Sequence, residues 1–181
     1  TEGAGSGTYY PTRVRYCDVN RKNYEVDIET WRQDNRYEIY DGGPAIVGAV
    51  DAWGLALFFK EDGLYPGEIF YGELGLYDFR LGRPQRGFSP VSKTGIVSRP
   101  EFIAGVAKEG IFVVSPDLEY SIVSNDNTDE WLGLNTGRHA HVHGFVRERD
   151  HQVRWLCPSV DHTDGHNRIL VWDWDTGDMW I

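Results

Sequence analysis

Methionine occurs once and cysteine twice in these 181 residues. Cys17 and Cys157 match no metal-binding or redox spacing, so buried free thiols are the expectation, with a disulfide between them left open. No apolar run of about 18 residues exists, which excludes a membrane-spanning helix. A basic n-region and an apolar h-region are both missing from TEGAGSGTYY, so residues 1–8 read as a flexible lead and leave the compartment undecided. Cationic surplus is also lacking: 18 Lys and Arg against 28 Asp and Glu give a formal net charge of −10, which disfavours a sequence-independent grip on phosphate backbones. Arg80, Arg83 and Arg86 come nearest to a basic patch and read as solvated residues of a Gly/Pro loop. There is no Gly-x-Ser-x-Gly elbow and no phosphate-cradling Gly-x-x-x-x-Gly-Lys-Ser/Thr, so a serine hydrolase of that type and a P-loop nucleotide hydrolase are not expected. Long helical periodicities are absent too, and only 25–36 leaves room for a helical turn.

What is present is glycine, at 21 residues, and an aromatic fraction of 14%. These punctuate short apolar runs: AIVGAV, GLALFF, EIFYGEL, LYDFRL, EFIAGVA, GIFVVS, EYSIVS, HAHVHGFV, QVRWLC and RILVWDW. Runs of that length between Gly, Pro, Asn and Asp are strand signals. The fold class expected is all-β, a single domain over 9–181.

An internal repeat refines the expectation. PAIVGAVDAWGLALFFKEDGLY (44–65) runs in parallel with PEFIAGVAKEGIFVVSPDLEY (100–120), with Asp62 beside Asp117 and Tyr65 beside Tyr120. A weaker third copy, strand, RERD turn and strand, covers 140–159. Hairpins that cannot bury both faces alone gain a core by stacking. The repeat therefore favours an antiparallel β-propeller-like array, small or incomplete at this length, over a sandwich. ILVWDWDTG carries a Trp-Asp pair, but Gly165 and His166 lie only a few residues upstream of it. That spacing disagrees with a WD unit of about 40–45 residues.

RVRYCDVN, PAIVGAVDAWGLALFFKEDGLY, GIVSRPEFIAGVAKEGIFVVSPDLEYSI and NRILVWDWDTGDMW, in that order, resemble β-propeller proteins of tailed-bacteriophage virions, the head-completion and tail-nozzle type. The resemblance implies a non-catalytic structural component of the head-to-tail connector or tail. It also implies location in the virion, a homo-oligomeric ring, other virion proteins as partners, and no cofactor, metal or sequence-specific nucleic acid. Leu118 departs from the family pattern, which places glycine after the acidic residue of that turn.

Candidate chemistry centres on histidine. His139, His141 and His143 alternate in RHAHVHG, so a strand would project all three from one face at about 6–7 Å intervals. His141, His143 and Glu148 together make a partial match to the first metal motif of the cupins. A metal-dependent cupin-like enzyme is thus one alternative, although the glycines of that motif and its second half are missing. DHTDGHN (161–167) gathers carboxylates with His162 and His166 in a turn. SNDNTDE (124–130) lacks the ligand ladder of an EF-hand and reads as a solvated loop. Seven tryptophans, Trp172 and Trp174 on one strand face among them, raise carbohydrate binding by stacking as a second alternative. The closing NRILVWDWDTGDMWI reads as a strand from Arg168 to Trp174, a DTGD turn with Gly177 free to take φ > 0, and the start of a partner strand. An edge left there calls for a continuation or an assembly partner.

Overall fold

Patterning sorts the strands into two kinds. Gln152–Cys157 alternates half-buried and buried, so one of its faces lies on a core and the other towards water. Ile103–Ala107 is buried at every position, and its continuous apolar run needs cover on both faces. A computed structural model describes residues 11–15, 18–19, 26–27, 36–39, 44–71, 77–124, 141–159 and 166–180. It is all-β, with antiparallel sheets of short strands and no α-helix among the described residues.

Two small ladders come first: β1 (Arg13–Arg15) pairs with β4 (Arg36–Glu38), and β2 (Asp18–Val19) with β3 (Val26–Asp27). Val26 and Asp27, where a helical turn had room, are therefore extended. The first large sheet runs β5 (Ile46–Ala52), β6 (Leu55–Lys60), β7 (Gly63–Tyr71) and β8 (Tyr77–Leu81). Nine-residue β7 shares its far edge between β8 and the short β9 (Gln85–Arg86). The second sheet is β10 (Val97–Ser98), β11 (Ile103–Ala107), β12 (Gly110–Val114) and β13 (Tyr120–Ile122). The third is β14 (His143–Arg147), β15 (Gln152–Cys157), β16 (Arg168–Asp173) and β17 (Met179–Trp180). In each large sheet successive strands are neighbours, an up-and-down meander.

These sheets stack face to face in chain order. Phe58 and Tyr65 on one face of the first sheet pack with Ile39, Val14 and Tyr37 from around the β1–β4 ladder. Leu57, Phe59 and Leu64 on its other face meet Ile103, Phe112 and Val114 of the second. Ala104, Val106 and Ile111, on the second sheet's opposite face, meet Val153, Trp155, Cys157, Leu170 and Trp172 of the third. Phe88, from the Gly/Pro-rich loop, is the plug of the middle core. Its ring lies 4.7 Å from Phe112, 4.8 Å from Tyr120 and 6.5 Å from Phe59, centroid to centroid. Close approach also needs glycine. A side chain at Gly105 would enter the Phe112 ring, and one at Gly144 would meet Trp155 and Val97.

The hairpins matched by the sequence repeat hold different ranks. Residues 44–65 supply the first two strands of their sheet and the start of the third, whereas 100–120 supply the second and third and the start of the fourth. Rank by rank, the second-to-third turns correspond: Gly63 (φ 145°) closes Glu61-Asp62, and Gly110 (φ 143°), 47 residues on, closes Lys108-Glu109. Each of these glycines lies where a Cβ would strike a neighbouring segment, Gln85 O in one case and Ser124 Oγ in the other. Hairpin composition depends on two strands and a turn, so it does not report a hairpin's rank in the sheet.

Among the described residues, left-handed backbone appears at three non-glycine positions, Trp53, Leu118 and His151. Trp53 and Gly54 together make the two-residue loop between β5 and β6, with both φ values positive as a type I′ turn requires. The Trp53 indole N–H donates to Pro100 O at 2.8 Å, which ties this turn to the second sheet. Leu118 (φ 63°) occupies the position where the resemblance leads one to expect glycine. Its N–H donates to Ser115 O at 2.9 Å while its side chain packs on the middle core, and these contacts offset a conformational cost of about 1–2 kcal/mol. The last turn is as the sequence reads: Gly177 has φ 78°, its N–H reaches Asp173 O at 2.8 Å, and β17 follows.

Because Phe88 is 1% exposed and touches both adjoining sheets, Phe88→Ala is expected to cost about 3–5 kcal/mol, the usual range for a large aromatic removed from a core. Urea unfolding of the variant against the wild type measures this directly.

Candidate functional site

β14 carries the histidine stripe only in part. His143 opens the strand, while His141 and the fully buried Val142 precede it outside the ladder, with His141 and His143 both exposed. His139 lies outside the described residues. Val142 is fixed because its carbonyl accepts from both Ser92 Oγ (2.9 Å) and Thr94 Oγ1 (2.7 Å), in the turn ahead of β10. That anchoring sets which face the neighbouring imidazoles take.

Glu148 does not join them, which corrects the cupin-like grouping of His141, His143 and Glu148. His143 opens β14 and Glu148 lies just beyond its other end, five residues on and roughly 16 Å away at strand rise. Glu148 instead ion-pairs with Arg99. The physical reason is direction: an extended strand separates residues that a tight metal motif would have to fold together.

His166, from the DHTDGHN stretch, does come to the stripe. Its ring stands 5.3 Å from that of His143, edge to face at 71°, and its Nε2–H donates to His141 O. Asn167 pins the segment: its Oδ1 accepts from Ser159 N–H (2.8 Å), its Nδ2 donates to Ser159 Oγ (2.7 Å), and its own N–H reaches Cys157 O (3.3 Å). Residues 161–165, His162 among them, lie outside the described set, as does 125–130.

A second polar cluster caps the junction of the second and third sheets. Arg99 stacks over Trp174 at 4.3 Å and pairs with Glu101 (3.1 Å) as well as Glu148. His151 stacks on Trp174, 5.7 Å between centroids, and bonds Asp175 through Nδ1. Phe102 closes the cluster from below against Trp172 and Trp174. The tryptophan pair considered for sugar stacking is thus spent on packing, since Trp172 is buried and Trp174 is roofed by Arg99 and stacked by His151. Trp155 is fully buried with its indole N–H on Gly95 O (2.7 Å), and Trp53 is held by Pro100. Trp31 and Trp131 lie outside the described residues. Only Trp180 keeps a wide exposed surface among the described tryptophans.

A third cluster is buried and was not visible in the sequence. Lys60 is fully buried, its ammonium donating to Ile39 O at 3.0 Å and lying 4.9 Å from the centre of the Tyr65 ring. Burial pulls its pKa below the ordinary lysine value, with Asp62 opposing. Tyr65 donates to Asp62 Oδ2 at 2.6 Å, and burial followed by that hydrogen bond raises its pKa. Arg86 pairs with Asp62 at 3.6 Å. These groups tie the β4 end to the first sheet, with Tyr65 and Arg86 both on Asp62 Oδ2 while Asp62 Oδ1 has no hydrogen-bond partner among the described residues. Asp62 is therefore no free partner to Glu61 for glycoside chemistry. Arg80 pairs with Glu68 (2.7 Å), so two of the three arginines of the basic loop are neutralised by neighbouring acids. Ser89 Oγ is taken by Glu109 at 2.7 Å, with no imidazole bonded to it among the described residues.

No family model matches the chain, and no curated protein matches it either.

Cys157 is fully buried, and burial pushes its thiol up to about 12 from an ordinary 9.0. A raised folded-state value favours the folded state only while the thiol stays protonated, so stability is expected to fall as pH climbs past 9 towards 12. In a Cys17→Ser background, a thiol-specific chromogenic disulfide at neutral pH should label nothing in the native protein and one equivalent after unfolding. Fast native labelling would contradict the packing of β15.

Proposed function

We propose that this chain is a non-catalytic structural component of a bacteriophage particle, of the head-to-tail connector or tail-nozzle kind. It is read as a propeller-like stack whose last sheet docks a second copy of the chain. Three observations support the propeller-like reading. The large sheets are all meanders of the blade type, and the 47-residue offset from Gly63 to Gly110 falls within the blade length of about 40–50 residues. The first strands also converge: Gly48 of β5 sits against Lys93 and Ile96, and Gly144 of β14 sits against Val97 of β10. The virion assignment itself rests on the resemblance carried by the strand-and-turn motifs.

The single observation that carries docking is the outer face of the third sheet. Among the described residues it presents Phe145, Ile169 and Trp180, 41–45% exposed. They are the exposed large apolar side chains among the described residues, and all three share a face. Phe145, Arg154, Val171 and Trp180 stand in one cross-strand row and Leu156 and Ile169 in the next, with His143 at the β14 edge on the rim of the patch. A second copy suits this face because the stack already packs sheet on sheet, so one more layer continues an existing interface. Such apolar rows, rimmed by the polar Arg147, Gln152 and Asp173, are the composition of a docking patch. A net charge of −10 suits a ring through which DNA passes without sticking, since like charge repels phosphate.

Sedimentation and electron microscopy test the reading. The wild type is expected to form ring-shaped oligomers, and Trp180→Asp combined with Phe145→Asp should release monomers. Loss of one central tryptophan typically costs at least about 2 kcal/mol of association. A wild type that stays monomeric at high concentration, with the same mass as the variant, overturns the assembly reading.

A further inference from the structure

The two histidine-bearing stretches, separate in sequence, meet where β14 begins and β16 is about to begin. His143 and His166 are both exposed, with ring centroids 5.3 Å apart. Two imidazoles sharing one ion through metal–nitrogen bonds of about 2.0–2.1 Å at a tetrahedral angle would have centroids roughly 5 Å apart. The pair already stands at that separation.

The tautomer of the neutral ring is also set. His166 Nε2 bonds the carbonyl oxygen of His141, and a carbonyl only accepts, so in the neutral imidazole the proton sits on Nε2 and the lone pair on Nδ1. A backbone carbonyl fixing the tautomer of a ligating imidazole in this way is the usual second-shell device of metal sites. The backbone beneath His166 is held by the paired Asn167 and Ser159 hydrogen bonds, so the ring's position is largely formed before any ion arrives. His143 has no other hydrogen bond or ion pair among the described residues.

We infer that His143 and His166 form a binding site for a divalent first-row transition cation, held through Nδ1 of His166 and a ring nitrogen of His143. Among the described residues no cluster of three or more ligand side chains occurs, so the site is open and water completes the ion's coordination. Imidazole ligands select copper, nickel and zinc over calcium and magnesium, and affinity rises from cobalt through nickel to copper. A bound ion would staple the approach to β16 onto the edge strand β14.

The test uses the untagged chain of all 181 residues, titrated with cobalt, nickel and copper chlorides by calorimetry, with thermal melting as a second readout. One ion per chain is expected, in the affinity order copper above nickel above cobalt, together with a rise in Tm on loading. His143→Ala and His166→Ala should each weaken binding at least about tenfold, as loss of even a second-shell partner typically does, and abolish the Tm rise. His141→Ala, which removes a side chain while keeping the carbonyl, should bind as the wild type does, and so should His151→Ala. Absence of binding at millimolar metal overturns the inference. Binding that survives both His143→Ala and His166→Ala overturns it as well.

Discussion

A sheet that is apolar on both faces must be covered on both, and the rest of this molecule follows from that requirement. β6, β11 and β12 bury side chains towards each side, so neither the first nor the second large sheet is stable as an outer layer. Stacking satisfies them in turn. The β1–β4 ladder covers the first sheet, the first covers the second and the second covers the third. Close approach then dictates the small residues. Gly105 lies under the ring of its cross-strand partner Phe112 and Gly144 under that of Trp155, so each ring can lie flat on its own sheet, and Gly144 also admits Val97 of the neighbouring sheet.

Polar groups hold the layers in register. Lys60 reaches across to Ile39, Trp53 to Pro100, Trp155 to Gly95, and Ser92 with Thr94 to Val142. All are side-chain donors on backbone carbonyls of neighbouring segments, and each satisfies an acceptor that burial would otherwise leave at a cost of about 1–3 kcal/mol. The same economy explains why so many chemically attractive residues are occupied. Asp62, Ser89, Glu148 and Trp174 have partners that hold the fold, whereas the His143–His166 pair combines exposure with an arranged geometry.

Much of this was legible in the chain itself. Continuous runs such as IAGVA and GIFVV become strands buried on both faces, and the alternating QVRWLC becomes a strand with one open face, as burial periodicity requires. The DTGD turn and its left-handed Gly177 were also readable. Sheet rank was not, because the hairpins at 44–65 and 100–120 share turn and strand chemistry at different positions in their sheets. The fates of His166 and Glu148 were likewise hidden. Strand direction carries Glu148 away from His143, while a return of the chain through β15 brings His166 back to it, and neither follows from local spacing. Lys60 gave no signal, since a lysine at a strand end ordinarily faces water.

Proton–proton nuclear Overhauser contacts measured across the layers probe the stacking itself. Close contacts are predicted from the Phe112 ring to the Phe59 ring and the Gly105 α-protons, and from a Val97 methyl to the Gly144 α-protons. A folded protein in which Phe112 sees Gly105 but not Phe59, or in which Val97 and Gly144 show no contact, would mean that the sheets do not pack in chain order, and the account would fail.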